Sequence, residues 1–199
     1  MRDSPMENLP YQQLSQLIKA DGNKEHECRE YLQYAKELLV NAPVINYVYI
    51  ETERRSHAGD SDYIVSAKIL DEGGLEPVRA YVWELKAPQC YIFEEDTRNR
   101  LRPSKDLINA ENQLFYYLDD LKGNDQARHE FSITHPHNVC FGGIIIGCRR
   151  RWVRGNFDEN KRNKLYERAL MIRREYMYDR LGMRLMTWDY ILDHFKQQQ

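Results

Sequence analysis

Apolar residues recur at helical spacing over residues 8–20 and 25–40, which predicts two helices before the sequence Asn41-Ala42-Pro43. Beyond that stop, apolar and polar residues alternate over residues 45–51. Residues 62–70 (DYIVSAKIL) and 78–86 (VRAYVWELK) are rich in β-branched and aromatic residues, and Asp71-Glu72-Gly73-Gly74 lies between them. These features predict three strands, the last two joined by a turn.

A long helix is predicted after Arg102-Pro103-Ser104, with Ser104 as its N-cap and Asp106 near the positive end of its dipole. The sequence Lys122-Gly123-Asn124-Asp125 ends this helix, and the polar stretch up to Pro136 is predicted to be a loop. The apolar stripe that predicts the helix consists of Leu107, Ala110, Leu114, Tyr117 and Leu121.

The last third alternates between strand and helix patterns. Residues 138–148 and 183–188 are predicted strands, whereas 163–181 and 189–195 are predicted helices, with Gly182 as a C-cap. The inward side of the longer helix is predicted to carry Leu165, Ala169, Ile172 and Tyr176. The order of elements predicts an α/β or α+β fold, with helices on both faces of one mixed sheet. Residues 1–24 form a helical lead-in, and residues 25–199 form one domain.

The predicted hairpin gathers charged residues at its open end. If the turn is centred near Gly74, opposed residue numbers sum to about 148, so that Asp62 faces Lys86 and Ile64 faces Glu84. The two-residue period of a strand then places Asp62, Glu84 and Lys86 on one face. Two carboxylates can hold a divalent cation, and a lysine beside them can orient an attacking water. The same residues could equally form a solvated hairpin end with an Asp–Lys salt bridge.

Composition limits the class of protein. The chain has 199 residues and 42% hydrophobic content, enough for one domain with a core. No apolar run approaches the ~20 residues that cross a bilayer, and the first ten residues lack an apolar signal segment. The four cysteines show no C-x-x-C spacing, which argues against structural zinc and favours reduced thiols. We therefore expect a soluble cytoplasmic protein that does not contact membrane.

Charge is distributed unevenly along the chain. Residues 1–146 hold 16 Lys and Arg against 24 Asp and Glu, whereas residues 147–184 hold 12 against 5. Arginine dominates the basic segment, and its planar donor fork suits phosphate. A polyanion partner is one interpretation, and a solvated helix face paired with its own carboxylates is the other. The residues that begin this segment, and that we expect to contact nucleic acid, are Arg149, Arg150, Arg151 and Arg154.

A triplet such as Glu84-Leu85-Lys86 is weak evidence by itself, because about one is expected by chance in a chain this charged. Its context is more specific. An Asp-led strand, a hairpin, a strand that ends in Glu-x-Lys and a helix that bears Gln resemble the PD-(D/E)XK nuclease superfamily. The runs WELKAPQ, AENQLFYYLDDL, GGIIIGCRR and RREYMYDRLGMRLMTWDYILDHF are similar to the Shedu family of anti-phage defence proteins. The resemblance covers roughly residues 25–196.

The resemblance implies a restriction-endonuclease-like core and a role for each matching residue. Asp62 and Glu84 would ligate Mg²⁺ or Mn²⁺ together with the Leu85 carbonyl, and Lys86 would position or activate water. Gln113 would support the site from its helix. Glu30 matches the acidic helix residue that such nucleases often place near the metal. DNA, phage or foreign, would be the substrate, and the protein would form a homo-oligomer.

Several alternatives stay open. Asp60 rivals Asp62 as the metal ligand, although Asp62 immediately precedes the apolar strand. Glu30 could be a solvated helix carboxylate, and Gln113 could cap buried polar groups. The sequence His135-Pro136-His137 is more typical of a turn than of a metal site. The function itself is open between a DNA endonuclease, a non-cutting DNA- or DNA-end-binding module, and an RNA nuclease.

Overall fold

The computed structural model describes residues 9–56, 59–71, 73–96 and 100–197, with residues 50–56 and 59–62 described by their backbone alone. Within these ranges the chain forms one five-stranded sheet, one small three-stranded sheet and several helices. The strands are β1 (Val44–Ser56), β2 (Gly59–Ile69), β3 (Val78–Leu85), β4 (Phe93–Glu95), β5 (Leu101–Pro103), β6 (Val139–Ile145), β7 (Val153–Arg154) and β8 (Arg184–Met186).

The main sheet has the order β1-β2-β3-β6-β8. Its first three strands form an antiparallel meander, whereas β6 runs parallel to β3 and β8 runs parallel to β6. The expectation of a mixed sheet in an α/β fold is therefore confirmed. Because β3 and β6 are parallel, the residues that follow both strands emerge at the same edge of the sheet.

The longest helix covers one face of the sheet and begins where the sequence predicts. Ser104 is its N-cap, and the Ser104 hydroxyl accepts from the Leu107 backbone amide at 3.1 Å. The helices are α1 (Leu9–Lys19), α2 (Glu25–Arg29), α3 (Lys105–Gly123), α4 (Asp125–Glu130), α5 (Glu159–Arg173), α6 (Asp179–Leu181) and α7 (Trp188–Gln197).

The two faces of the sheet bury two separate hydrophobic clusters. Val82 of β3 packs with α3 on one face, whereas Trp83 packs with α1 and α7 on the other. The strand alternation therefore directs Glu84 to the face that α3 covers. On the opposite face, the fully buried Leu14 of α1 belongs to the same cluster as Trp83, so α1, which lies within the predicted lead-in, packs into the main core.

The predicted hairpin exists, but its register differs by two residues. Tyr63 faces Trp83 and Ile64 faces Val82, so opposed numbers sum to 146 and the expected pairing of Ile64 with Glu84 is wrong. The cause lies in the turn, where the Asp71 carboxylate accepts from the backbone amides of Gly73 and Leu75 at 3.0 and 2.9 Å. This Asp-centred loop is organised around residue 73 rather than 74.

Two predicted boundaries in the helical segments are also wrong. Residues 25–40 form only the short α2, followed by two 3₁₀ turns, Glu30–Tyr34 and Lys36–Leu39, rather than one helix. The stretch that was expected to be a loop contains α4, because the Asn124 side chain caps that helix by accepting from the Ala127 amide at 2.9 Å. An N-cap at a helix end thus starts a second helix.

The inward face of α5 lies one residue away from the predicted stripe. Ile172 and Tyr176 are exposed, whereas Tyr166 is buried and Arg173 is half-buried. Trp152 stacks on Tyr166 with ring centroids 4.3 Å apart, which fixes this rotation of the helix. Apolar periodicity could not predict an arginine on the inward face. After α5 the chain forms one π-helical segment, Arg174–Tyr178, and then α6.

The small sheet, with the order β5-β4-β7, was not predicted, because its strands have only two or three residues. It lies beside the exits of β3 and β6. Within the described ranges, none of the helices combines the length and the apolar character that a bilayer crossing requires.

Candidate active site

Glu84 is the centre of the candidate site. Its side chain has no exposed surface, although it is a carboxylate at the penultimate position of β3. The Lys86 ammonium nitrogen lies 2.5 Å from Glu84 Oε1, and the Lys86 side chain is 18% exposed. Burial of an ionised carboxylate is costly unless a positive charge compensates it. Lys86 supplies that charge, and it also connects the buried carboxylate to the surface.

The backbone at this strand end is held on two sides. The Lys86 amide donates to the Ile145 carbonyl of β6 at 2.8 Å, and Trp188 Nε1 of α7 donates to the Lys86 carbonyl, also at 2.8 Å. Since the two polar groups of one peptide point in opposite directions, the Leu85 carbonyl is directed away from β6 and toward β2. The metal-ligand role that the family resemblance implies for the Leu85 carbonyl stays a prediction.

Gln89 fixes the loop that leaves the site. Its side-chain amide nitrogen donates to the carbonyls of Leu17 and Ala20 at 3.0 and 2.9 Å, and its oxygen accepts from the Lys24 amide at 3.2 Å. These bonds cap the C-terminal end of α1, where the last carbonyl groups of a helix have no i+4 amide to accept from. Gln89 belongs to the run WELKAPQ, but its role as a cap was not predicted.

The second predicted carboxylate, Asp62, lies on β2 immediately before Tyr63. Continuing the observed register by one residue sets the Asp62 backbone level with Glu84, rather than with Lys86 as predicted. The side chain of Asp62 lies outside the described residues, as does that of its rival Asp60. The choice between these two aspartates therefore stays a prediction.

Gln113 lies on α3, the helix that covers the Glu84 face of the sheet. Its side chain is half-buried, and its amide nitrogen donates to the Tyr117 hydroxyl at 3.3 Å. Among the described contacts, none joins Gln113 to Glu84 or Lys86. The observed bond corresponds to the capping alternative, in which Gln113 satisfies another polar group.

Glu30 has an exposed side chain in a 3₁₀ turn and makes no described contact with Glu84 or Lys86. Glu25 of the preceding helix α2 acts through its charge on Cys90, in the loop after β3. Burial raises the pKa of the Cys90 thiol to about 12, and the charges of Asp106 and Glu25 contribute to the rise while Lys86 opposes it. A soft sulfur donor does not suit Mg²⁺, which prefers oxygen ligands.

The described part of the chain offers few ligands for a divalent metal. Among the described side chains, no group of three or more His, Cys, Asp or Glu is arranged to hold a metal ion. His135 and His137 are exposed and stack on each other, with ring centroids 5.3 Å apart. The fit therefore depends on Glu84 with Asp62. Hard oxygen donors of this kind suit Mg²⁺ or Mn²⁺.

The predicted nucleic-acid contacts lie at the same edge of the sheet as Lys86, because they follow β6. Three of them are engaged within the protein. Arg149 donates to Asp193 at 2.5 Å, Arg151 donates to the Tyr91 hydroxyl at 2.9 Å, and Arg154 lies 3.8 Å from Glu94. Arg150 is exposed, and its side chain has no ion pair or hydrogen bond to any described residue.

A buried ion pair that was not predicted connects α3 to α5. Both carboxylate oxygens of Glu111 accept from Arg173 Nη2, at 2.7 and 2.5 Å, and the Tyr178 hydroxyl donates to the same carboxylate at 2.5 Å. Burial alone would lower the pKa of Arg173, but the bond to Glu111 and its charge raise it. The ion pair thereby joins α3, the helix that bears Gln113, to α5. The sequence signal that could have indicated this pair is the position of Glu111, a charged residue within the apolar stripe of α3.

No protein-family model matches this chain, and no curated protein is similar enough to it to count as a match.

Proposed function

We propose that this protein is a divalent-metal-dependent DNA endonuclease with a restriction-endonuclease-like core, of the Shedu type, that acts on phage or other foreign DNA. The observation that carries the proposal is the fully buried Glu84, in contact with Lys86 at the end of a central strand. A purely structural role would not require a carboxylate there, since an apolar residue of similar volume would serve as well or better.

The roles of the chain's own residues follow from their positions. Glu84 and Asp62, with the Leu85 carbonyl, would hold Mg²⁺ or Mn²⁺, which activates water and neutralises charge on a phosphodiester. Lys86 is tethered to Glu84 and reaches toward solvent, so its ammonium can orient a water molecule or stabilise charge on the phosphoryl oxygens. Gln113 and Glu30 remain candidate supporting residues.

The arrangement of charge at the sheet edge supports DNA as the substrate. Arg149, Arg150 and Arg151 emerge beside the Lys86 loop, because β3 and β6 end at the same edge. A phosphate backbone that is bound by these arginines would lie beside the candidate catalytic residues. Homo-oligomer formation is part of the proposal and derives from the family resemblance.

Cleavage of supercoiled and linear DNA by purified protein, with Mg²⁺, Mn²⁺ or EDTA, tests the proposal. We expect cutting with metal, none with EDTA, and none by the Glu84→Gln and Asp62→Asn variants. Glu167→Gln serves as the matched control, because Glu167 is an exposed carboxylate on α5. Cleavage by Glu84→Gln at the wild-type rate would overturn the assignment of the site.

The same experiment separates the alternatives. A non-cutting DNA-binding module would retard DNA in a gel without cleaving it under any metal condition. An RNA nuclease would cut RNA of the same sequence and leave DNA intact. In an active enzyme, Lys86→Ala should lower the cleavage rate by orders of magnitude while changing DNA affinity only slightly, because Lys86 acts in the transition state.

A further inference from the structure

Arg184 is the first residue of β8, which pairs with β6 on one side and is an edge strand of the main sheet. Its guanidinium lies over the Trp83 ring, with Cζ 4.9 Å from the ring centroid. The Arg184 side chain is therefore on the face of the sheet opposite to Glu84. It contacts the residue that immediately precedes Glu84 on β3.

The charge of Arg184 is poorly compensated. The Nε and Nη2 atoms are shut off from solvent and have no hydrogen-bond acceptor among the described residues. No described carboxylate forms an ion pair with Arg184, and burial lowers its pKa. Buried polar groups in proteins are nearly always paired, and an unpaired buried cation is costly. Contact with the Trp83 ring offsets only part of such a cost.

A pocket of about 270 Å³ adjoins Arg184. It contains a second arginine, Arg174, which is exposed, and its walls include the aromatic residues Trp152 and Tyr190. Trp152 Nε1 is a further buried donor without an acceptor among the described residues. The residues that line the pocket thus include two arginines and no carboxylate.

We propose that this pocket binds the phosphate group of a small molecule, with Arg184 and Arg174 as its cationic ligands. Guanidinium groups suit the charge and the hydrogen-bonding geometry of a phosphate. The aromatic walls suit a planar ring attached to the phosphate, as in a nucleoside monophosphate. A bound phosphate would compensate the charge of Arg184, with which no described carboxylate forms an ion pair. This site is distinct from the proposed nuclease centre and does not depend on it.

Isothermal titration calorimetry, at fixed ionic strength and with EDTA present, tests the proposal on the full chain. The probes are inorganic phosphate, adenosine monophosphate and adenosine, with chloride as the reference salt. We expect both phosphate compounds to bind with one site per chain and adenosine to show no binding. Tighter binding of the nucleotide than of free phosphate would identify a phosphate ester as the ligand class. Absence of binding by both phosphate compounds would overturn the proposal.

Two variants test whether the phosphate compound binds in this pocket. Arg184→Gln should weaken binding of the phosphate compound at least tenfold and, without ligand, raise the melting temperature, because an uncompensated buried charge is removed. Arg174→Gln keeps the proposal testable if Arg184→Gln fails to fold, since Arg174 is exposed. The controls are Arg180→Gln, an exposed arginine outside the pocket, and Glu84→Gln, which should both retain wild-type affinity. Unchanged affinity in Arg184→Gln and Arg174→Gln would place the ligand elsewhere and refute the site.

Discussion

The ammonium of Lys86 lies 2.5 Å from a carboxylate oxygen of Glu84 that has no access to solvent. This short contact at the end of β3 joins a buried acid to a half-buried base. It is the structural relationship on which the candidate active site depends, and its energetic consequences can be measured without any assay of cleavage.

Replacement of Lys86 by Met should leave the Glu84 carboxylate buried without its ammonium and should destabilise the protein by about 3–5 kcal/mol. The double variant Glu84→Gln/Lys86→Met removes both charges, so we expect it to regain most of that stability. Urea denaturation of the two single variants and the double variant, in EDTA, measures the coupling free energy. Additive losses would mean that the two side chains do not interact in solution.

The Glu111–Arg173 pair should behave as a structural ion pair rather than as a DNA contact. Arg173→Met leaves the Glu111 carboxylate buried, and we expect a loss of about 3–5 kcal/mol in the free energy of unfolding. Arg168→Met, which changes an exposed arginine on the same helix, should alter stability by no more than about 0.5 kcal/mol. Equal stability of the two variants would show that the pair contributes nothing.

Gly142 is required by the packing of Trp83. A Cβ atom at position 142 would lie 2.2 Å from Trp83 Nε1, and that indole is held by its hydrogen bond to the Leu39 carbonyl at 3.0 Å. We expect Gly142→Ala to destabilise the protein by about 1–3 kcal/mol through overpacking. Gly123→Ala is the control, because its Cβ would meet nothing within 4 Å. Thermal unfolding of both variants checks the difference.

Arg150 should contribute more to DNA affinity than Arg149, although the two are adjacent in sequence. The Arg149 side chain is already bound to Asp193, whereas Arg150 is exposed without an internal partner among the described residues. If Arg150 contacts one phosphate, Arg150→Ala should reduce the salt slope of log K by about 0.9. Fluorescence anisotropy at several salt concentrations measures the slope. A change in oligomeric state at an unchanged slope would instead indicate that Arg150 makes subunit contacts.

The sequence by itself determined the order along the chain of the five strands of the main sheet, the long helix α3 and its N-cap at Ser104, because these depend on local periodicity and local hydrogen bonds. It also placed Glu84 and Lys86 on one face, since the two-residue period of a strand holds wherever the strand pairs. The predicted hairpin register differs from the observed one by two residues. The Asp71 carboxylate determines where the turn is centred, and the alternation of apolar residues is the same in two registers that differ by two residues.

Only the tertiary structure decided which charged residues are buried. Periodicity assigns charged residues to the solvent side, yet Glu84, Glu111 and Arg173 lie in or beside the core. Glu84 lies beside Lys86, two residues further on, whereas Glu111 is paired with Arg173 from a different helix. Arg184 belongs to the basic segment of the sequence, but its side chain packs on the Trp83 ring rather than extending into solvent. The free energy of such groups depends on the partners and the surface around them, and the fold brings those together from distant parts of the sequence.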